Sequence, residues 1–384
     1  MVTGGTASPG AAAPWSGPVV HVDTEMGFSG GEVQVFLLME GLRAAGVPQV
    51  LVAPRGSESA RIGRERGFAV VELGLSHQLD LPSVLQLAKV LRGAALVHLH
   101  TGRAAWLGCL AARLAGRPAV ITRRMDRRVK RGLRTWFAYR RTAAAVVAIS
   151  PAVATCLVEG GVPRERLVTI CDALDPSRSQ AVHSRGAVRA ALGIHDAEFV
   201  VLTLAQLMHR KGIDVLLRAM AEIHEPRPTL VVAGDGPEAA SLRALADALR
   251  LGERVRFLGR RGDAGDLLAA CDAFCLPSRA EGMGVAALEA LGASRPVVAT
   301  RVGGLGELIV EGECGLLVPA EDPSALAAAI VRLRDDRALR ERLAAAGPQR
   351  VAQGFAPEQY VARHLEVYRA VLTSSAKATQ TSPR

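Results

Sequence analysis

The sequence predicts an α/β protein made of two similar doubly wound halves that face each other across a cleft. Three observations lead there. Short apolar runs of Val, Leu and Ala alternate with helical patterns of roughly ten to fifteen residues, the mark of a parallel sheet covered on both faces. The alternation is interrupted over residues 172–189, a polar segment with Pro176 and three serines, and then restarts. Finally, 384 residues suit two domains of roughly 190 each.

Val19-Val20-His21-Val22 opens the first strand, and residues 23–31 follow as a loop with three glycines. A helical pattern over 32–45 is closed by Gly46. Strand, helix and strand follow at 48–53, 60–67 and 69–73. Leu96-Val97-His98-Leu99-His100 is a fourth strand, succeeded by a helix to about residue 115 and a strand over 119–122. Residues 146–150 and 167–170 close this half. In the second half, strands are expected at 199–204, 229–233, 255–258, 273–276, 296–300 and 315–318. Helices are expected at 213–223, 239–249, 267–270 and 284–291, with one long helix over 325–345 and a final one over 357–372. The domain plan is a disordered leader (1–18), a first α/β domain (19–180) and a second α/β domain (190–356). A C-terminal helix (357–373), crossing back to the first domain, and a disordered tail (374–384) complete it. Ligands of such sheets sit beyond the carboxyl ends of the strands, so both sheets are expected to present those ends to the cleft.

Composition excludes several classes. Hydrophobic residues at 49% with 22% charged argue against a disordered or fibrous chain, and 4% aromatics make the cores aliphatic. The longest wholly apolar run, residues 143–149, is far short of the roughly 18 needed to cross a bilayer. The first 18 residues are rich in Gly, Ala, Ser and Pro without a basic start and apolar stretch, so they do not read as a signal peptide. Cys109, Cys156, Cys171, Cys271, Cys275 and Cys314 are scattered through apolar segments and read as buried thiols of a reducing cytoplasm. Cys271 and Cys275 have no second ligand pair nearby. Forty-seven basic against 37 acidic residues give a net charge of +10, which favours an anionic partner. Nucleic acid, an anionic lipid surface and a phosphorylated small molecule all qualify. Lysine is confined to Lys89, Lys130, Lys211 and Lys377, so an arginine bias running through the chain also contributes.

Four stretches carry chemistry, each with a plainer reading beside it. Gly30-Gly31-Glu32 stands at a strand-to-helix turn, where helical amides attract phosphate; the plain reading is a tight turn. From residue 121 to 141 there are nine basic side chains, Arg123, Arg124, Arg127, Arg128, Lys130, Arg131, Arg134, Arg140 and Arg141, opposed by Asp126 and interleaved with Trp136, Phe137 and Tyr139. Such a segment can rest on an anionic bilayer, grip a phosphorylated acceptor or track a nucleic-acid backbone; the plain reading is a solvated face. Arg123 and Arg124 follow strand residue Thr122 and so point toward the expected cleft. Lys211-Gly212, after the first strand of the second half, is a diphosphate grip or a common turn. The strongest stretch runs from Leu276 to Ala290. A strand ends at Pro277, Gly282 and Gly284 open the backbone amides of Met283 and its neighbours, and a helix begins with its positive end available to a leaving phosphate. Glu289 sits on an otherwise apolar face of that helix and needs partners, which sugar hydroxyls supply; Glu281 can serve a second set. As surface acids, neither needs any.

Taken together, these stretches resemble the retaining, nucleotide-sugar-dependent glycosyltransferases of family 4, or group 1, which includes lipopolysaccharide, mannosyl and sucrose-type transferases. Their fold is GT-B, two Rossmann-like domains facing across a cleft. The resemblance spans residues 19–372 and is strongest over 204–319. It implies that Gly30 and Gly31 lie near the donor phosphate and that Lys211 grips the diphosphate. Val232-Ala233-Gly234-Asp235-Gly236-Pro237-Glu238 matches the post-strand turn of the donor domain. Glu281-x-x-Gly284 followed by Glu289 is similar to the E-x7-E signature: the first glutamate, with Gly282, Met283 and Gly284, stands by the donor sugar, and the second by the ribose. Residues 296–300, Gly303, Gly304 and Glu307 complete the match. Three positions depart from it. Ala205-Gln206 replaces Gly-Arg, removing one diphosphate cation, with Gln206 still able to donate and Arg210 a substitute. Asp172-Ala173 replaces Asn-Gly, although Asp175 is kept. Arg124, preceded by Arg123, stands where many members carry a histidine.

The resemblance implies sugar transfer with retention from a UDP-, GDP- or ADP-sugar to a glycan, lipid-linked or small-molecule acceptor. Glu281 and Arg124 are the candidate catalytic residues, and Arg123, Arg127 and Arg128 face the acceptor. No cofactor is expected, and without a carboxylate pair at metal-clamp spacing the leaving-group site reads as metal-independent. The basic segment points to an anionic or lipid-linked glycan acceptor, or to peripheral contact with the inner face of an anionic membrane, in the cytoplasm; nucleic acid does not explain the acidic-glycine motif. A nucleotide-sugar 2-epimerase shares the fold, and a non-catalytic scaffold would suit Gln206 and Asp172. His21, His98 and His100 read as residues packed in the sheet or lining the cleft, with His98 and His100 on one strand face.

Overall fold

The computed structural model describes residues 15–75, 77, 80–127, 129 and 132–380. The expected leader thus lies outside the described residues up to 14, as do Arg128, Lys130, Arg131 and the last four residues. The chain divides into two compact units, residues 1–170 with 357–384, and residues 171–356.

The first unit holds β1 (Val19–Val22), α1 (Gly30–Ala44), β2 (Gln49–Pro54), α2 (Glu58–Glu65), β3 (Ala69–Leu73), α3 (Leu81–Leu91), β4 (Leu96–Leu99) and α4 (Gly102–Ala115). It continues with β5 (Ala119–Arg123), α5 (Leu133–Thr135) running into a π-helical turn (Trp136–Thr142), β6 (Ala143–Ala148), α6 (Pro151–Glu159) and β7 (Leu167–Thr169). All strands are parallel in the order β3-β2-β1-β4-β5-β6-β7. β1 and β4 are buried along their whole length, which is why they read as unbroken apolar runs. α3 was not expected. Val84, Leu87, Ala88 and Leu91 recur at helical spacing and form its buried stripe, while Leu81 and Leu85 are exposed; its start is signalled by Asp80, which caps the Ser83 amide, and by Pro82. The C-terminal helix (Pro357–Gln380) packs on α1 in this unit and runs beyond residue 373.

The second unit begins earlier than the sequence suggests. Residues 172–189 are no free linker: Asp172 and Leu174 are buried, and Arg189, fully buried, bonds to Asp272 and to four backbone carbonyls. The unit holds α7 (Pro176–Ser179), α8 (Arg185–Ala191), β8 (Val200–Leu204), α9 (Ile213–Glu222), β9 (Thr229–Ala233), α10 (Ala239–Ala248), β10 (Val255–Gly259) and α11 (Ala264–Ala270). Then come β11 (Ala273–Leu276), α12 (Val285–Gly292), β12 (Val297–Thr300), α13 (Leu305–Leu308), β13 (Gly315–Val318), α14 (Pro323–Asp335) and α15 (Arg337–Gly354). The expected single helix over 325–345 is two, because Asp336 leaves helical geometry and its carboxylate caps the Leu339 amide at 2.8 Å. The parallel sheet has the order β10-β9-β8-β11-β12-β13.

In each sheet the strand order reverses once, between β1 and β4 and between β8 and β11. At such a switch point the loops leaving the two strands diverge to opposite faces, opening a crevice beyond their carboxyl ends. The two motif-bearing loops of the second unit, after β8 and after β11, flank that crevice. All six cysteines are free thiols, and burial pushes those of Cys109 and Cys271 up to about 12, so neither is a nucleophile at neutral pH.

Candidate functional site

The crevice of the second unit is built from two loops tied to each other. Gly212 has φ 64°, and a Cβ there would stand 2.0 Å from the Pro277 carbonyl oxygen, so glycine is required where the loops cross. Arg279 donates to both oxygens of Asp214, at 2.7 and 2.9 Å, and to the His209 carbonyl, while its amide donates to the Arg210 carbonyl at 2.8 Å. The turn expected after β9 supports the same loop: Gly234 approaches Ala205 so closely that a Cβ would lie 1.8 Å from its carbonyl oxygen, and the Leu207 amide donates to the Asp235 carbonyl.

Within this frame the Lys211 ammonium donates to a Glu281 oxygen at 2.5 Å, and Ser278 Oγ donates to the same oxygen at 3.0 Å. Arg210 reaches the other oxygen at 3.8 Å. Glu281 is 7% exposed. Burial opposes its ionisation, but the charge and hydrogen bond of Lys211, with help from Arg210 and Ser278, outweigh it and hold the carboxyl below the ordinary range. Gln206 is exposed. The second cation at this carboxylate is thus Arg210, four positions from the departure noted in the sequence.

Gly284, at φ 88°, is the N-cap of α12, and no side chain caps that helix start. The neighbouring Gly282 is packed closely enough that a Cβ on Gly304 would come 2.3 Å from its carbonyl oxygen. Glu289 lies on α12 at 3% exposure, and its carboxylate accepts a hydrogen bond from Arg178 Nε of α7. Burial pushes its carboxyl up from the ordinary range more than Arg178 pulls it down. Sequence reasoning missed Arg178 because residues 172–189 read as a linker, and missed Arg279 because the loop contact it makes is remote in sequence.

The first unit treats its glycine turn differently. Ser29 caps α1, donating from its amide and its hydroxyl to Glu32 at 2.6 and 2.7 Å, and its Oγ accepts from the Gly31 amide at 3.4 Å. The Gly31 amide expected to be open to phosphate is therefore taken up by the protein, unlike the start of α12. Gly31 lies against Arg124, whose Cδ a Cβ there would meet at an ordinary contact distance of 3.5 Å. Arg124 leans toward α1 and the C-terminal helix, its guanidinium 3.4 Å from Tyr360 Oη. Arg123 turns toward α4, with Nη1 3.7 Å from the position a Gly102 Cβ would take and Nη2 donating to the Arg127 carbonyl at 3.4 Å. Arg127 is exposed. The aromatics of the basic segment divide: Tyr139 is buried and Phe137 packs edge-on against Trp106, while Trp136 and Leu133 are exposed beside Arg134 and Arg141.

His21, His98 and His100 form a third cluster. His21 is the register partner of His98, so all three rings share one face of the sheet, not His98 and His100 alone. Their ligating nitrogens lie within 4.8 Å of one another, a spacing a metal ion could use. However, His98 already has a hydroxyl at each ring nitrogen, Tyr368 at 2.6 Å and Thr122 at 2.7 Å, and His21 Nδ1 stands 3.0 Å from His100 Nε2. An ion would have to displace one of these contacts. The cluster is a packed polar network closed by His364 and Tyr368 of the C-terminal helix.

Comparison with known proteins matches each half of the chain to a family. Residues 28–178 match the family described as Glycosyltransferase Family 4, and residues 184–350 match Glycosyl transferases group 1. The chain is 38% identical over 180 residues to the lipopolysaccharide core biosynthesis glycosyltransferase LpsD of Rhizobium meliloti, covering 47% of this chain and 52% of that protein. It is 36% identical over 196 residues to the D-inositol 3-phosphate glycosyltransferase of Corynebacterium urealyticum, covering 48% and 46%. The chain spans about half the length of the curated relatives it matches. The crystal structure of Anabaena Alr3699/HepE in complex with UDP and glucose superposes with a TM-score of 0.84 at 23% identity, over 92% of this chain and 100% of that one. Two parallel sheets flanked by helices, the first matched from residue 28 onward and the second throughout by the two family descriptions, place the chain in the family 4, group 1 glycosyltransferases of the GT-B fold.

Proposed function

We propose that the protein transfers a sugar from a nucleotide-sugar donor to a hydroxyl of a glycan, lipid-linked or small-molecule acceptor, with retention of configuration. The observation that carries this reading is the pairing of Lys211 and Arg210 with the buried Glu281 beside the uncapped start of α12. Two cations and a helix N-terminus converge there on a switch-point crevice, which suits a diphosphate whose charge grows as it leaves. In the proposed step the bond between the sugar's anomeric carbon and the phosphate oxygen breaks, and the nucleoside diphosphate departs with the electron pair. The acceptor oxygen bonds to that carbon from the same face and its proton passes to the departing phosphate. Glu281 orients the donor sugar and Glu289 the ribose; Gly282, Met283 and Gly284 supply the backbone against which the phosphate rests.

The acceptor is anionic in this reading, recognised by Arg123, Arg124 and Arg127. The relatives support it by name, one acting in lipopolysaccharide core biosynthesis and one a D-inositol 3-phosphate glycosyltransferase; the HepE complex with UDP and glucose supports the donor class. Among the described residues no helix is long and apolar enough to cross a membrane, and Leu133 (76% exposed) and Trp136 (46% exposed) beside arginines suit peripheral contact with an anionic bilayer. Flotation with phosphatidylglycerol vesicles should recover the protein, phosphatidylcholine vesicles should not, and Leu133→Ser with Trp136→Ser should weaken recovery several-fold.

A thermal-shift panel of UDP-, GDP-, ADP- and TDP-sugars tests the donor reading. One base should stabilise the protein selectively, and Glu289→Ala should reduce transfer at least about tenfold, on the order of 1.4 kcal/mol. Stabilisation by none of them, or unchanged turnover in the variant, rejects the donor site. Product analysis without acceptor separates transfer from epimerisation.

A further inference from the structure

We propose that Arg178 is the positioning residue for Glu289, holding one carboxylate oxygen so that the other is kept for the ribose hydroxyls of the bound nucleotide. The inference rests on the donor-site reading of Glu289 given above. Glu289 is embedded in the apolar side of α12, where Ala287, Leu288, Ala290 and Leu291 are all fully buried. A carboxyl in such surroundings tends to take up a proton, and a protonated one is a poorer acceptor for two hydroxyls. Arg178 is its one side-chain hydrogen-bond partner among the described residues.

The local sequence fixes that partner in place. Pro176 opens α7, and Asp175 caps it, its carboxylate accepting from the Ser177 amide at 3.0 Å and the Ser177 hydroxyl at 2.6 Å. Just upstream, the Leu174 amide donates to the Phe355 carbonyl at 2.9 Å. The Leu174 side chain lies over the end of α12 where a Cβ on Gly292 would stand 2.4 Å from it. The short helix is therefore pinned at both its cap and its approach, and the guanidinium is delivered from a rigid turn. The charged groups acting on Glu289 are Arg178, which favours its ionised form, and Asp175, which opposes it; among the described residues β11, β12 and α15 add none.

The test measures binding of UDP, GDP and ADP and of their 2′,3′-dideoxy forms to the wild-type protein and to Arg178→Gln, Arg178→Lys and Glu289→Gln. For the nucleotide that binds best, the wild type should prefer the ribose form about tenfold or more. Arg178→Gln should lose about that factor for the ribose form and little for the dideoxy form, and Arg178→Lys should recover part of it. Acidification should weaken ribose-form binding as Glu289 gains its proton, and in Arg178→Gln the weakening should begin at a higher pH, because the charge that favours ionisation is gone. Equal loss for both forms, or no loss in either, overturns the proposal. If Glu289→Gln leaves the ribose preference intact, the ribose assignment of Glu289 fails and takes the proposal with it. Binding of no nucleotide by the wild type rejects the donor reading as a whole.

Discussion

Acidification from pH 7 to about pH 5 is expected to remove a large share of the stability of the first unit. His21, His98 and His364 are 0% exposed and His100 3%, with the His98 and His100 ring centroids 4.0 Å apart. Burial, reinforced by neighbouring rings and by Arg124, pushes His21 and His364 down to about 3 and holds His98 and His100 well below the ordinary range. All four are neutral when folded. A group whose pKa is lower in the folded state contributes stability that is complete above its unfolded pKa, about 6.5, and is lost as pH falls toward the folded value. Each ring then costs about 1.4 kcal/mol per pH unit, so four cost about 5 to 6. Two carboxyls act in the opposite sense. Asp23 is raised to about 7 by burial and by Glu32, and Glu32 is itself raised by burial, so both gain protons on folding and add stability as the pH drops. Subtracting the Asp23 proton from four leaves about 4 kcal/mol per pH unit, and Glu32 acts in the same sense as Asp23. Over the interval from pH 6.5 to 5 that is at most about 6 kcal/mol, a large share of a typical domain's 5 to 15. The readout is convenient, because Trp15, Trp106 and Trp136, the three tryptophans of the chain, all lie in this unit. Denaturant titrations followed by tryptophan fluorescence should show the steep pH dependence. His364→Gln, which can still donate to the Tyr360 carbonyl, should lower the slope by about 1.4 kcal/mol per pH unit. A stability that does not change between pH 7 and 5 rejects the neutral-cluster account.

How this cluster arises shows what a sequence can and cannot display. The period of two along β4 places His98 and His100 on one face, but the arrival of His21 depends on β1 pairing with β4 in register, and of His364 on a helix some 260 residues away. The sheets themselves were legible because strands buried on both faces need unbroken apolar runs. The donor motif was legible for a related reason: glycines at loop crossings and an acid on an apolar helix face are local anomalies, visible one residue at a time. Partners are not local. Arg178 and Arg279 are two arginines among many, distinguished only by the carboxylates that folding brings to them. The same holds for Arg210, which looked misplaced beside Gln206 and yet supplies the second cation at Glu281. Capping too depends on which end of a turn the helix adopts, so Gly30-Gly31 and Gly282-x-Gly284 looked alike in sequence, while one helix start is closed by Ser29 and the other has no side-chain cap.

Lys211→Ala is expected to damage the second unit twice, and the two losses can be separated. The ammonium is 13% exposed and the Glu281 carboxylate 9%, so removing the lysine strands a buried negative charge with Ser278 at 3.0 Å and Arg210 at 3.8 Å. Breaking one side of a buried pair costs about 3 to 5 kcal/mol, whereas replacing both charges with neutral groups is close to neutral. The function lost is that of a cation on the diphosphate, for which deletion of one preorganised donor costs about a hundredfold to a thousandfold in turnover. Glu281→Gln in the Lys211→Ala background removes the stranded charge while keeping an amide for Ser278, and should restore most of the stability. It should not restore donor binding or turnover, because no charge is returned to the phosphate. The stability measurement has a clean spectral handle. Tyr139, Tyr360 and Tyr368, the three tyrosines, lie in the first unit with the tryptophans, so a far-ultraviolet circular dichroism transition without a matching fluorescence change reports the second unit. If the double variant regains turnover along with stability, Lys211 serves only to neutralise Glu281 and the diphosphate site must lie elsewhere. If Lys211→Ala is as stable as the wild type, the pair is not the buried ion pair that its geometry describes, since a carboxylate at 7% exposure that loses its nearest cation cannot be free of cost.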